Sequence, residues 1–339
     1  MLDRDWLGAA LRRGGALTAG RVAAVRASPW KDTALSHLEL LEVDYAPGAA
    51  GLQPRRMLAK RVHKAFSGVG AREERFFIAM RDAGLPAVRC HGWGRAPDTR
   101  VPVLLLEDLQ PTHRDPSTPW PRTPPLTEVC AALDALARVH AAAVGPRAAA
   151  LPRVERPERW VRSWVARARS CLPGFLTRHG PIPGIADPAA WLAALPEAVT
   201  QAHADATRWT LLHGDAHHWN ALHPRRTGHR GALWIDWQLW RAGLPAFDVA
   251  WMLGVNSDPE WRWRNEGTAL AFYREAAGQA GVPISAARFE QEVCLALAFH
   301  LTVPITLSCS DVPDSLWHGM VQRGAAALSD AGGLARALG

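Results

Sequence analysis

The chain has 339 residues, 48% of them hydrophobic, with 39 Lys and Arg against 32 Asp and Glu for a formal net charge of +7. That length suits one large domain or two modest ones with a real core, and the composition excludes a disordered chain. No apolar run is long enough to cross a bilayer, and the arginines are too dispersed to argue for a nucleic-acid partner.

The N-terminal "MLDRDWLGAALRRGG" has acids early and no long apolar core, so no secretory leader is expected. Five scattered cysteines, Cys90, Cys130, Cys171, Cys294 and Cys309, read as free thiols of a reducing cytoplasm. Lysine stands only at Lys31, Lys60 and Lys64. In a chain that otherwise uses arginine, a lysine marks a place for a compact point charge.

"LSHLELLEVDYAPG" reads as a strand closed by a Pro-Gly turn, and "RRMLAKRV" as a second strand carrying Lys60. "GAREERFFIAMRDAG" has helical periodicity and closes on Gly84. "AVRCHGWGRA" and "RVPVLLLEDL" read as two further strands. Residues 1–108 are therefore expected to form a small sheet carrying one helix. The proline-rich stretch 109–125 is a connector. From 126 to 339 the pattern is mostly helical, interrupted at 209–238 by two short apolar runs around the turn "HPRRTGHRG". The fold class is α+β, an antiparallel sheet lobe followed by a larger helical lobe.

The chemistry concentrates in "LLHGDAHHWNAL", residues 211–222. A di-metal hydrolase would need matching ligands from other strand ends, and only Asp236 follows. A zinc site of mixed Cys and His at tight spacing finds no cysteine near this stretch, and a serine hydrolase would want a G-x-S-x-G elbow, which does not occur. Phosphoryl transfer fits better. It asks for a carboxylate that takes the proton of an attacking hydroxyl, an amide oxygen five residues on that touches Mg2+, and a second carboxylate on a nearby strand. Asp215, Asn220 and Asp236 of "LWIDWQ" stand in that order. For each aspartate alone, a turn-capping role is a respectable alternative. The first half supplies the remaining parts. Lys60 suits the nucleotide phosphates, with Glu73 or Glu74 of the next helix to fix it. "LLLEDL" at 104–109 suits a hinge whose backbone, at Leu106, Glu107 and Leu109, receives a nucleobase.

These residues resemble the aminoglycoside phosphotransferase and choline kinase superfamily. "HGDAHHWN" followed by "IDWQLWRAGLPAFDVAWML" carries the resemblance, and "LARVHAAAV" and "REERFF" extend it. The "IDWQ" form is most similar to the ecdysteroid-kinase-like and related bacterial small-molecule kinase branches. The resemblance implies a bilobal protein-kinase-like fold and ATP- or GTP-dependent phosphorylation of a small-molecule hydroxyl. Carried over by position, Asp215 is the base, Asn220 and Asp236 hold Mg2+, Lys60 binds phosphates, and Glu73, in E-x-x-F-F, pairs with it. His213 and His217 support the loop, and Asp248 anchors its backbone. The phosphate-covering segment "SPWKDTALSHL" lacks glycine, so Thr33 and Ser36 are expected to supply its contacts.

The acceptor is less defined. Trp251, with Trp160, Trp164, Trp261 and Trp263, suits aromatic walls, although core packing is the better explanation of any one of them taken alone. Asp258 and Glu260, with Glu266, Asp311 and Asp314, would suit a polycationic aminoglycoside. A sugar, amino alcohol or other hydroxylated metabolite fits as well, and antibiotic modification is one role open to such an enzyme. The rival reading is a catalytically silent nucleotide-binding protein of the same fold. Oligomeric state is not legible in the sequence.

Overall fold

The computed structural model describes residues 2–33, 35–151, 155–282, 284–310 and 312–338. The chain forms two compact units, Met1–Arg114 with Pro224–Leu239, and Asp115–His223 with Trp240–Gly339. The first unit therefore takes a segment from the 209–238 region, which the sequence had placed wholly in the helical part.

In chain order the first unit contains α1 (Arg4–Arg13), β1 (Val22–Asp32), β2 (Ser36–Tyr45), β3 (Arg56–Val62), α2 (Ser67–Ala79), β4 (Cys90–Arg95) and β5 (Pro102–Glu107). The strands form one antiparallel sheet in the order β1-β2-β3-β5-β4. The central strands β3 and β5 are apolar along most of their length, because both faces are covered. One face packs on α1, where Leu7, Ala10 and Leu11 meet Leu41, Met57, Ala59, Val103 and Leu105. Side chains alternate along a strand, so Leu58, Lys60 and Val62 face the other way, toward α2.

The elements absent from the sequence reading include α1 and β1. The first is capped by Asp3, whose side chain accepts from the N–H groups of Asp5 and Trp6. It lies so close to β4 that a Cβ on Gly14 would stand 2.0 Å from the carbonyl oxygen of His91. β1 is a largely exposed edge strand containing Pro29, and proline within a run argues against a strand unless that strand lies at an edge.

The second unit contains α3 (Leu126–Ala142), α4 (Pro146–Ala149), α5 (Pro157–His179), α6 (Pro188–Ala202) and α7 (Ala246–Ala250). It continues with α8 (Pro259–Gln279), α9 (Ala286–His300), α10 (Thr302–Leu307), α11 (Asp314–Asp330) and α12 (Gly333–Leu338). Trp160 of α5, Phe247 of α7 and Phe299 of α9 meet edge-on or tilted at the centre, with ring centroids 5.1–5.7 Å apart. A short ladder pairs Thr210–Leu212 with Arg241–Gly243. The loop 213–220 leaves the first of these strands, so the ladder fixes where it starts.

α2 approaches β3 at Gly70, where an added Cβ would meet the Val62 methyls at 2.6 and 2.8 Å. Valine is stiff at χ1 and cannot swing away. Gly70→Ala is expected to destabilise the fold by about 1–3 kcal/mol in urea unfolding. Gly70→Ala combined with Val62→Ala should cost less than the sum of the two single changes. Strict additivity would mean that the helix does not press on β3 at this point.

Candidate active site

In the first unit the structure brings Lys60, Glu73 and Asp236 together. The Lys60 ammonium lies 3.0 and 2.8 Å from the two carboxylate oxygens of Glu73 and 2.5 Å from Oδ1 of Asp236. Glu73 and Phe76 stand three residues apart on one face of α2. Phe76 stacks on Trp237 with centroids 4.0 Å apart and planes within 6°. The Trp237 N–H in turn donates to Glu73 at 3.3 Å. This is why the E-x-x-F spacing matters: the phenyl ring seats the residue after Asp236 while the carboxylate fixes the lysine. Glu74 faces elsewhere and pairs with Arg95 at 2.7 Å.

Burial alone would lower the Lys60 ammonium, but the charges of Asp236 and Glu73 and their hydrogen bonds raise it well above its ordinary value. Burial raises the Glu73 carboxyl despite the neighbouring lysine. Asp236 has φ 67°, in the left-handed region that few non-glycine residues adopt. Such outliers concentrate where side-chain aim matters.

Leu104 pairs with Lys60 and Leu106 with Leu58 across β3 and β5, so these leucines share the sheet face of Lys60. They form an apolar floor beside the ammonium. The Glu107 N–H is committed to the Arg89 carbonyl at 2.8 Å, and its side chain to Arg230 at 2.6 Å. The Leu109 carbonyl accepts from Thr112 and His113. Ser36 is on the Lys60 face, opposite Val62. Thr33 Oγ1 accepts from the Ser36 N–H at 3.0 Å and donates to the Ser36 carbonyl at 2.9 Å. The threonine thus ties the glycine-free turn together.

In the second unit the loop after Thr210–Leu212 is held by Asp248 of α7. Its two carboxylate oxygens accept from the backbone N–H of His213 at 2.6 Å and of Gly214 at 2.9 Å. Oδ2 also meets His140 Nε2 at 3.1 Å, and His140 Nδ1 lies 2.6 Å from the Tyr273 hydroxyl. Burial alone would raise the Asp248 carboxyl, but the hydrogen bond and charge of His140, with help from His213 and Gly214, hold it below the usual carboxylate value. Arg241 donates to the Gly214 carbonyl at 2.9 Å and lies 4.6 Å over the Trp160 ring. Gly214 has φ 84°, which lets the chain turn sharply into Asp215.

Asp215 is thereby aimed. Its Oδ1 accepts from the Trp251 indole N–H at 3.0 Å. Its carbonyl accepts from the Asn220 side-chain amide at 3.0 Å and from the His217 N–H at 2.9 Å. That donation fixes the Asn220 amide with its nitrogen toward Asp215 and its oxygen turned the other way. His217 Nε2 is 3.9 Å from Asp215 Oδ2, and the buried His213 accepts the Asp215 N–H on Nδ1 at 3.2 Å. Trp251 begins a π-helical turn, Trp251–Val255, directly after α7. Such turns concentrate at functional sites, and here the turn delivers the indole to the carboxylate.

Sequence reasoning missed the buried supports His140, Tyr273 and Arg241, and gave Trp251 to the acceptor rather than to Asp215. Asp258 is committed to Thr123, accepting from its N–H at 2.7 Å and its hydroxyl at 3.0 Å. The exposed Glu260 pairs with Arg264, and Glu266 with Arg262. Trp160 is core, and Trp263 is 87% exposed. Asp311 lies outside the described residues. Asn220 of the second unit offers an amide oxygen and Asp236 of the first a carboxylate, each a hard oxygen donor of the kind magnesium takes.

The sequence model of the phosphotransferase enzyme family matches residues 49–287. The chain belongs to this family and is a small-molecule kinase. A Ralstonia eutropha protein assigned to the aminoglycoside phosphotransferases superposes with a TM-score of 0.61 at 16% identity, covering 96% of this chain and 97% of its own. Choline kinase LicA from Streptococcus pneumoniae gives 0.55 at 16% identity over 91% and 94%, and has also been solved with AMP. Macrolide 2'-phosphotransferase MphH from Brachybacterium faecium gives 0.51 at 13% identity over 90% and 92%. No curated protein sequence matches the chain.

Three histidines that brace the second unit are held neutral. His203 donates from Nδ1 to Val199 and accepts the Leu244 N–H on Nε2, so a second proton would face a donor. Burial lowers His203 and His300 to about 4 and His218 to about 3. The unfolded chain, with histidines near 6.5, binds more protons below that pH, so stability is lost as pH falls from about 6.5 toward 4. The thermal midpoint should drop across that window, and a flat profile there would contradict the buried neutral imidazoles.

Proposed function

We propose that the protein transfers the γ-phosphoryl group of ATP or GTP to a hydroxyl of a small molecule, with Asp215 as the general base. The observation that carries this reading is the fixed aim of Asp215, whose backbone is pinned through Asp248 and whose carboxylate accepts from Trp251. The acceptor hydroxyl gives its proton to Asp215 and its oxygen attacks the γ-phosphorus. The bond from that phosphorus to the bridging oxygen breaks, and the nucleoside diphosphate leaves. Lys60, fixed by Glu73, binds the phosphates. Leu58, Leu104 and Leu106 offer apolar contact to the base, with the backbone at Leu106, Glu107 and Leu109 as the hinge. Thr33 and Ser36 shape the turn that covers the phosphates. Asn220 and Asp236 would hold magnesium, which when bound neutralises phosphate charge. His213 and His217 support the loop.

The acidic candidates favour an acceptor of low charge over a polycation, because Asp258, Glu260 and Glu266 already have partners. A hydroxylated metabolite, an amino alcohol or a macrolide-like antibiotic fits that condition. The ecdysteroid-kinase-like branch rests on the "IDWQ" form. No helix among the described residues is long and apolar enough to cross a membrane. The free cysteines fit a cytoplasmic site of action.

The test is a mass-spectrometric screen of wild type and Asp215→Ala with Mg-ATP or Mg-GTP and a panel of aminoglycosides, macrolides, sugars and amino alcohols. One compound should gain a single phosphoryl group with wild type only. Asp215→Ala should lose turnover by roughly 10²–10⁴-fold while still binding nucleotide. Asp236→Ala should weaken Mg-nucleotide binding itself, read by calorimetry. Normal turnover by Asp215→Ala would overturn the assignment of the base.

Trp251→Phe keeps the ring and removes the N–H donor. Its kcat should fall roughly tenfold or more, with KM for nucleotide unchanged. An unchanged kcat would mean that the indole N–H does nothing for the reaction.

A further inference from the structure

The end of the β1–β2 hairpin carries a side-chain cluster that the phosphoryl-transfer reading leaves unused. Asp32 of β1 pairs directly with His37 of β2, and His37 pairs with Arg61 of β3. The His63 N–H bonds to the Leu35 carbonyl, so the chain stays in register one step past the end of β3. His63, two residues beyond Arg61, is therefore the diagonal neighbour of His37 on the same face. That is the face opposite Lys60, since Lys60 and Arg61 alternate.

The side chains converge. Oδ1 of Asp32 lies 2.7 Å from His37 Nδ1 and 3.7 Å from His63 Nε2. The two imidazoles meet edge to face with centroids 4.1 Å apart. One donor atom from each of the three residues fits within a 4.8 Å spread. Ligand atoms about 2.0–2.2 Å from a tetrahedral zinc stand roughly 3.3 Å from one another, so small rotations of these side chains close the set. The neighbouring cation Arg61 is paired with Asp98 at 3.1 Å, which lessens its repulsion of a metal.

We propose that Asp32, His37 and His63 form a binding site for a late first-row divalent cation, Zn2+ being the natural probe, separate from the magnesium ligands of the phosphoryl-transfer site. Two imidazoles and one carboxylate are a donor set for zinc or its neighbours and a poor one for magnesium. Three protein ligands leave a fourth position for water or an incoming anion. His63 Nε2 now lies 3.0 Å from the Thr33 carbonyl and exchanges that hydrogen bond for the metal, carrying its proton on Nδ1 instead. Occupancy ties together the end of β1, the start of β2 and the exit of β3. It thereby fixes the turn that contains Thr33 and lies beside Ser36.

The experiment is calorimetric titration of tag-free, full-length protein with Zn2+ in buffer holding excess Mg2+. Wild type should bind one equivalent that His37→Ala and His63→Ala each weaken roughly tenfold or more. Co2+ should give visible ligand-field absorption in wild type that the double variant lacks. Asp236→Ala should retain the site, which separates this result from any failure of the kinase reading. The altered side chains are partly exposed, and the thermal midpoint of the double variant without zinc checks that it folds. Equal Zn2+ uptake by wild type and the double variant, or no saturable binding at sub-millimolar metal, would overturn the proposal.

Discussion

Two backbone N–H groups at the end of the strand Thr210–Leu212 turn away from any ladder partner, and Asp248 receives both. A buried carboxylate is costly unless every oxygen is satisfied. Here His213, Gly214 and His140 do that, and Tyr273 stands behind His140. The same helix that carries Asp248 runs on into the π-helical turn that presents Trp251. One short stretch, residues 246–255, therefore sets both the backbone of the loop and the direction of the Asp215 carboxylate. Arg241 closes the arrangement from the neighbouring strand through the Gly214 carbonyl.

The first unit solves a different electrostatic problem. One ammonium sits between two carboxyl groups, so acids outnumber the base in the cluster. At low dielectric such an excess of carboxylate over ammonium is costly unless further hydrogen bonds or cations meet it. The lysine cannot be exchanged for arginine without loss, because a planar fork does not fill the position of a compact charge touching three oxygens. Phe76 and Trp237 make the geometry rigid by stacking beside it.

How much of this was legible follows from sequence distance. Asp215 and Asn220 lie five residues apart, and Glu73 and Phe76 three, so their spacing carries a local signature. Lys60 announced itself by being one of only three lysines. The supports are different: His140 is 108 positions from Asp248, and 133 from Tyr273. Pairings at that range leave no mark on a single sequence. α1 carries an apolar repeat at Leu7, Ala10 and Leu11, but over only ten residues such a repeat is a weak helix signal. β1 is obscured by Pro29 and by its exposure, which removes the alternation of apolar and polar residues that marks a half-buried strand. Trp251 looked like a wall residue because an indole has two faces and one polar handle, and the sequence does not say which is used.

The left-handed backbone at Asp236 bears on how this position can vary. Glycine accepts that conformation but brings no oxygen. Asparagine accepts it but brings no charge. Glutamate brings the charge on a longer arm and lacks the short side chain that eases the strain. No single replacement keeps both backbone and charge, so the position has no conservative neighbour in sequence space. Drift there passes through loss of either the turn's shape or the charge that meets Lys60.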